Sequence, residues 1–395
     1  MNKIGSLTSL WKNVGEADLR PFRDQALAGV RIAIVGEPGS GRAALADQMR
    51  RDPNRPQLAS DAPVLTLDLE SASQAATADL IILLIPAGKR DISRERALVQ
   101  YWQNHGQRAL VFINQDNPDQ VQPSADAQAL SPSTVQPGWR VISGSVSDTR
   151  FLVEKFVPAV IELVPGLLLA LGRYFPLFRL KIAHFLINDT SFSNAAYAMS
   201  TGLAELVAVL DLPITIADTI VLTKSQAFLV YKLGLALGYS TNWKDYVAEF
   251  GGVLGGGFVW RNIARSLVGL IPLWGIIPKT AIAYAGTYVV GNVVLQWYLT
   301  GKHLSKPQMR QLYSRALEQG RALARTLAAR MPRPRLRLSF RLPWSRRPRL
   351  SAPADPQLPA PQKTKPAKRR QVCPNCGKTN SRDARFCQYC GTAFN

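Results

Sequence analysis

Residues 36–43 read GEPGSGRA, directly after the apolar run Val30–Gly36 (VRIAIVG) and directly before RAALADQMRR. This is the glycine frame of G-x-x-x-x-G-K-[ST], intact at Gly36 and Gly41, with Gly39 and Ser40 between them. Such a frame folds into a nest of backbone N–H groups that cradles phosphate, while its Lys and hydroxyl supply charge and a Mg²⁺ ligand. Here the Lys position is Arg42 and the hydroxyl position is Ala43. A buried strand feeding a glycine loop that opens a helix confines the fold to the α/β class, and the helix start adds partial positive charge at the loop. A strand–turn–helix corner without a ligand is the plainer reading of the same residues.

The segments that follow continue the alternation. VLTLDLE (Val64–Glu70), DLIILLIPA (Asp79–Ala87), RALVFIN (Arg108–Asn114) and WRVISGS (Trp139–Ser145) are strand candidates, with helix-like stretches between them, notably Ser93–His105. Apolar strands separated by helices predict a doubly wound parallel sheet covered on both faces. Residues 1–29 form an N-terminal helix with Leu7, Leu10, Trp11 and Val14 on one side, and Asn117–Gly138, rich in Pro, Ser and Gln, is a long loop.

The motifs of residues 30–150 resemble those of the Era-like GTPases in their order and their placement at strand ends. Gly36–Ala43 matches that family's phosphate loop except at Arg42 and Ala43. Asp68, at the end of VLTLDLES, matches the family's Asp near Mg²⁺, but Ser71 replaces the glycine of D-x-x-G. Asn114-Gln115-Asp116-Asn117 stands at the family's base-reading motif. With Asn117 in place of a carboxylate, an amide meets guanine's two donors, so guanine preference should fall. Ser143-Gly144-Ser145 is similar to the last guanine-contacting loop, and residues 51–63 offer no Thr to ligate Mg²⁺. The resemblance implies a nucleotide-binding fold, and the departures predict impaired hydrolysis with at most weak nucleotide binding.

From residue 151 to 331 the chain is helical by composition and without alternating strands. Between Gly251 and Thr300 the only charges are Arg261, Arg265 and Lys279, and Pro272 and Pro278 punctuate a helical hairpin with arms near 247–271 and 280–300. SQAFLVYKLGLALG (Ser225–Gly238) and GLIPLWGIIPKTAIAYAGTYVVGNVVLQWY (Gly269–Tyr298) resemble the YcjF-type domain found after such GTPase domains in bacteria. That resemblance implies membrane association and no reaction. Thr280–Leu299 is uncharged over 20 residues, just long enough to span a bilayer. The competing reading is a helical domain with a very apolar core.

The net charge of +21 is concentrated: residues 301–370 carry 19 Lys and Arg against Glu318 and Asp355. Part of this is an amphipathic helix over 306–331. Met309, Leu312, Ala316, Leu323, Leu327 and Met331 form its stripe, widened by Leu317, and Arg310, Arg315, Arg321, Arg325 and Arg330 lie on other faces. Residues 332–370 are a basic linker, with nine prolines between Pro332 and Pro366. A basic segment beside an apolar hairpin suits the anionic, cytoplasmic face of a membrane. MNKIGSLTSLWKN, lacking the continuous apolar core of a cleavable leader, fits the same placement.

All four cysteines fall in residues 371–395: Cys373 and Cys376, then Cys387 and Cys390, each pair followed by glycine. Four thiolates in paired C-x-x-C knuckles make a closed tetrahedral Zn²⁺ site, and a segment this short needs such a staple to fold. The segment resembles the zinc ribbons at bacterial protein ends.

Together these features predict a membrane-associated, GTPase-like scaffold or nucleotide-sensing adaptor with a structural zinc ribbon and no expected hydrolysis. Its expected partners are an anionic membrane surface and an unidentified protein, with oligomerisation left open. The rivals are a slow GTPase using Arg42 as its phosphate cation, and a nucleic-acid binder using the Arg-rich linker with Phe340, Trp344 and the ribbon.

Overall fold

A computed structural model describes residues 16–115, 138–207, 216–246, 276–302, 304–330, 370–372, 374–375 and 379–381. The chain clusters into two compact units, residues 1–332 and 333–395.

In the first unit the strands are β1 (Ile32–Gly36), β2 (Arg51–Asp52), β3 (Arg55–Ala59), β4 (Leu65–Leu67), β5 (Leu80–Pro86), β6 (Ala109–Asn114) and β7 (Trp139–Gly144). Five of them form one sheet in the order β4-β1-β5-β6-β7, and every pairing in it is parallel. The expected doubly wound sheet is therefore present. Its central strands are buried on both faces, because helices cover both sides. Ile32, Ile34, Ile82, Leu84 and Phe112 pack with Leu45 and Met49 on one face. Ala33, Val35, Ile81, Leu83 and Val111 pack with Val99 and Trp102 on the other.

Two details differ from the sequence expectation. The strand anticipated over Val64–Glu70 is only Leu65–Leu67, because Asp68 leads directly into a 3-10 turn over Leu69–Thr77 that tucks Ala72 and Ala75 into the core. Residues 51–63 hold the β2–β3 antiparallel hairpin, with Asp52 paired to Arg55 around Pro53-Asn54.

The helices are α1 (Glu16–Leu27), α2 (Arg42–Arg50), α3 (Ser93–Asn104), α4 (Thr149–Leu163), α5 (Leu168–Tyr174), α6 (Arg179–Val207), α7 (Ile216–Ala236), α8 (Ile276–Thr300) and α9 (Lys306–Arg330). α4 carries the chain from the sheet into the helical region. Its Phe156 sits 5.9 Å from Phe112 of β6 and 5.9 Å from Phe178, ring to ring.

α8 occupies the centre of the helical region and contacts α6, α7 and α9. Between Thr280 and Leu299 no residue is exposed, so its apolarity all round matches a helix surrounded by protein. Asn194 of α6 donates to Thr287 of α8 at 2.8 Å, and Thr287 in turn donates to Ala283 O. Among the described residues no single helix is long and apolar enough to cross a membrane. One bent pair, Thr149–Leu163 with Pro165–Tyr174, passes by composition, its halves meeting at 100°. The first hairpin arm, 247–271, lies outside the described residues.

α9 lays Tyr313, Ala316, Gly320 and Ala324 against α8, with Leu312, Leu317, Leu323 and Leu327 at the flanks. A side chain at position 320 would meet the backbone oxygen of Ala281 at 2.8 Å, so glycine there sets how closely the two helices approach. Arg310, Arg315, Arg321 and Arg325 are all exposed.

In the second unit, β8 (Arg370–Val372) and β9 (Thr379–Ser381) pair antiparallel, from Arg370↔Ser381 to Val372↔Thr379.

Candidate functional sites: a glycine loop at the sheet edge and a cysteine ribbon

A parallel sheet presents all its strand C-termini along one edge, and ligands of such folds bind where the strand order reverses. Here that point is β1, flanked by β4 and β5. The Gly36–Ala43 loop leaves β1, Asp68 follows β4, Lys89 follows β5, Asn114 ends β6 and Ser143 lies near the end of β7. Topology thus gathers residues scattered over more than 100 positions onto one edge.

The loop geometry depends on its glycines. Gly41 sits at φ +100° as the residue before α2, where a Cβ would lie 2.8 Å from Asn114 Nδ2. The Ser40 side chain is buried, and its hydroxyl has no protein partner.

Asn114 ties the edge together. Its amide Nδ2 donates to Ser40 O at 3.0 Å, and its Oδ1 accepts from Val146 N at 3.2 Å. One buried amide therefore links the glycine loop to the loop after β7. Ser143 is exposed, while the adjacent Gly144 leaves room for the Phe151 ring. Asn117 lies outside the described residues.

Arg42 and Asp68, the two charged positions carried over from the motif comparison, face each other. Arg42 Nη2 lies 2.5 Å from Asp68 Oδ1. Ala43 is exposed and presents only a methyl group. A Mg²⁺-bound nucleotide needs a free cation for its phosphates, a hydroxyl for the metal and a carboxylate to hold that metal's water. These residues do not fit that requirement: the guanidinium and the carboxylate are spent on each other and the hydroxyl is missing.

A second charged group at the same edge went unnoticed in the sequence. Lys89 Nζ donates to Glu37 of the loop at 2.6 Å and to Glu95 of α3 at 2.5 Å. Glu95 is 1% exposed and its other oxygen has no partner. Burial works to lower the Lys89 pKa, but its hydrogen bonds to Glu37 and Glu95 and their charges outweigh it, and the net shift is upward. Two carboxylates thus hold one ammonium at this flank of the loop. The signal was present in the sequence: Glu95, Val99 and Trp102 recur at helical spacing, and all three are buried.

The remaining candidate is the cysteine segment. β8 and β9 close at Val372↔Thr379, so Cys373 and Cys376 both fall in the connection between two paired strands. Cys387 and Cys390 follow β9; all four lie outside the described residues. Residues 372–394 match the zinc-ribbon domain family. The match covers both cysteine pairs, and four soft thiolates at this spacing fit Zn²⁺ and leave no position open for chemistry. Among the described residues no group of three or more His, Cys, Asp and Glu is placed to hold a metal. No curated protein matches the chain.

Proposed function

We propose that this chain is a non-hydrolysing, GTPase-like scaffold acting at an anionic membrane surface, with its zinc ribbon as a separate structural module. The observation that carries the reading is the Arg42–Asp68 ion pair, in which the two charged positions of the loop motif pair with each other. The parallel sheet, the glycine loop after its central strand and the Asn114 latch support descent from a P-loop GTPase-like fold. In that fold the nucleotide edge has become an internally braced corner.

The other parts suit an adaptor. The exposed arginines of α9 and the basic residues of 332–370 supply attraction to anionic headgroups, and this attraction requires no spanning helix. The ribbon, at the end of a proline-rich segment, adds a compact module able to contact a protein.

The test is a nucleotide assay on the purified full chain. GTP and ATP should show no Mg²⁺-dependent turnover above background, and any residual binding should be weak, Mg²⁺-independent and without preference for guanine. Mg²⁺-dependent GTP hydrolysis that disappears in Gly41→Val would overturn the reading in favour of a slow GTPase. Steeply salt-dependent RNA binding without vesicle binding would favour the nucleic-acid reading.

A further inference from the structure

Away from the glycine loop, the β2–β3 hairpin and the helical region enclose a cavity of about 220 Å³. Asp52 and Arg55 reach it from the hairpin, Arg179 from the start of α6, and Tyr239 and Tyr298 from the ends of α7 and α8. The local turn is legible in the chain. Gly238, at φ +89°, ends α7 with Tyr239 N bonded back to Gly234 O, a closure that favours glycine at this position.

The charges here are unbalanced. Arg179 Nε donates to Gly172 O at 3.1 Å and its Nη2 to Arg173 O at 3.2 Å. Arg173 Nη1 donates to Tyr239 O at 2.8 Å. Asp52 is the one carboxylate lining the cavity; its Oδ1 accepts from Asn54 N, and its Oδ2 lies 3.6 Å from Arg55 Nε. Two guanidiniums, Arg55 and Arg179, thus line the cavity with one acid, and the charge of Arg173 acts on Arg179 from outside the lining. Burial depresses the Arg179 pKa; Asp52 opposes that, and the charges of Arg55 and Arg173 add to it. A bound anion would relieve this repulsion.

We propose that this cavity is a binding site for a phosphate group, free or as a terminal monoester, held by Arg55 and Arg179 with Leu180, Leu237 and Leu299 as its apolar wall. Guanidinium forks suit phosphate oxygens, and the two lining guanidiniums outnumber the single carboxylate, so the cavity favours an anion. The volume is below the roughly 300–1,000 Å³ of sites that enclose a drug-sized ligand, so the site takes an ion or a headgroup. Two sources share this chemistry: a free phosphate, or a lipid phosphate whose chain lies along the leucines. An occupant would touch the hairpin and three helices at once, fastening the sheet domain to the helical region.

Calorimetry on the full zinc-loaded chain tests it, with inorganic phosphate at constant ionic strength as the first probe. Saturable binding is expected. Arg55→Gln should weaken it roughly tenfold, the loss of one charge-assisted hydrogen bond, and Arg55→Glu should abolish it. Arg55 is the residue to change because its side chain is 42% exposed, whereas Arg179 also caps α5. Arg42→Gln, at the glycine loop, should leave phosphate binding unchanged. Dihexanoyl phosphatidate is the second probe: tighter binding than phosphate assigns a lipid headgroup, and equal binding assigns a free phosphate. The proposal is overturned if the unmodified chain shows no saturable phosphate binding, or if Arg55→Gln and Arg55→Glu bind as it does.

Discussion

Arg42 Nη2 and Asp68 Oδ1 lie 2.5 Å apart, joining the start of α2 to the end of β4 across the mouth of the glycine loop. Asp68 remains 56% exposed and Arg42 only 17%, so the pair stabilises the fold little and governs chiefly where the guanidinium points. Removing the carboxylate should free Arg42 for anions. Asp68→Asn is expected to raise affinity for inorganic pyrophosphate about tenfold without conferring hydrolysis, since Ala43 still offers no metal ligand. Equal pyrophosphate affinity in the variant and the unmodified chain would show that the pair does not block the loop.

Asn114 holds two loops through one amide, and both contacts are buried. Asn114→Ala should cost about 2–3 kcal/mol, since Ser40 O and Val146 N both lose their partner. Asn114→Asp should also destabilise, because a carboxylate can accept from Val146 N but cannot donate to Ser40 O. Urea denaturation followed by circular dichroism distinguishes these outcomes from a surface residue, for which changes stay within about 0.5 kcal/mol.

Lys89 makes stability depend on alkaline pH. Its pKa is raised in the folded state from the ordinary 10.5, so the protonated form is favoured by folding. That contribution is complete below the unfolded value and is lost as pH rises through the higher folded value. Lys89→Met should lower stability at pH 7, because Glu95 is left buried without its partner, and should flatten the loss above about pH 10.5. The double variant Lys89→Met, Glu95→Gln should recover part of the deficit. Parallel alkaline limbs for the unmodified chain and Lys89→Met would refute the assignment.

The sheet was legible because its central strands are largely apolar and separated by helices. β4 was overextended in the sequence reading because apolar residues continue past Asp68 on both sides of the turn. The hairpin after α2 lacks alternation, although Asp52-Pro53-Asn54 carries a turn signal. For α8, sequence alone leaves lipid and protein surroundings equivalent: both give a helix apolar on every face. In the structure Thr280–Leu299 packs among α6, α7 and α9. Glu95 and Lys89 were missed because a carboxylate on an apolar stripe looks like noise until its partner in the loop after β5 is seen. Arg55 and Arg179, 124 positions apart, meet only through tertiary structure.

The ribbon should be independent of the rest. One Zn²⁺ per chain is expected, lost under a strong chelator together with the structure of residues 372–394. Cys373→Ser should weaken zinc binding sharply and leave the thermal unfolding of the 1–332 unit unchanged, because the chain clusters into separate units at 332–333. Protein purified without chelator and free of zinc, yet with an intact ribbon, would contradict this.

The arginines of α9 bear on the membrane reading in a way that packing cannot imitate. Arg310, Arg321 and Arg325 fall within about 60° of one another around the helix, on an exposed flank beside the buried stripe of Tyr313, Ala316 and Gly320. Replacing the three with Gln should therefore leave the α8–α9 contact intact, with thermal stability changed by no more than about 0.5 kcal/mol. Each cation near an anionic surface contributes about 1 kcal/mol at low salt. The triple variant should thus bind phosphatidylserine vesicles at least tenfold more weakly, and the difference should shrink as salt rises from 50 to 300 mM. Neutral phosphatidylcholine vesicles should not distinguish the two proteins. A triple variant that sediments with anionic vesicles as well as the unmodified chain at every salt concentration would remove α9 from the membrane contact and leave the linker to carry it.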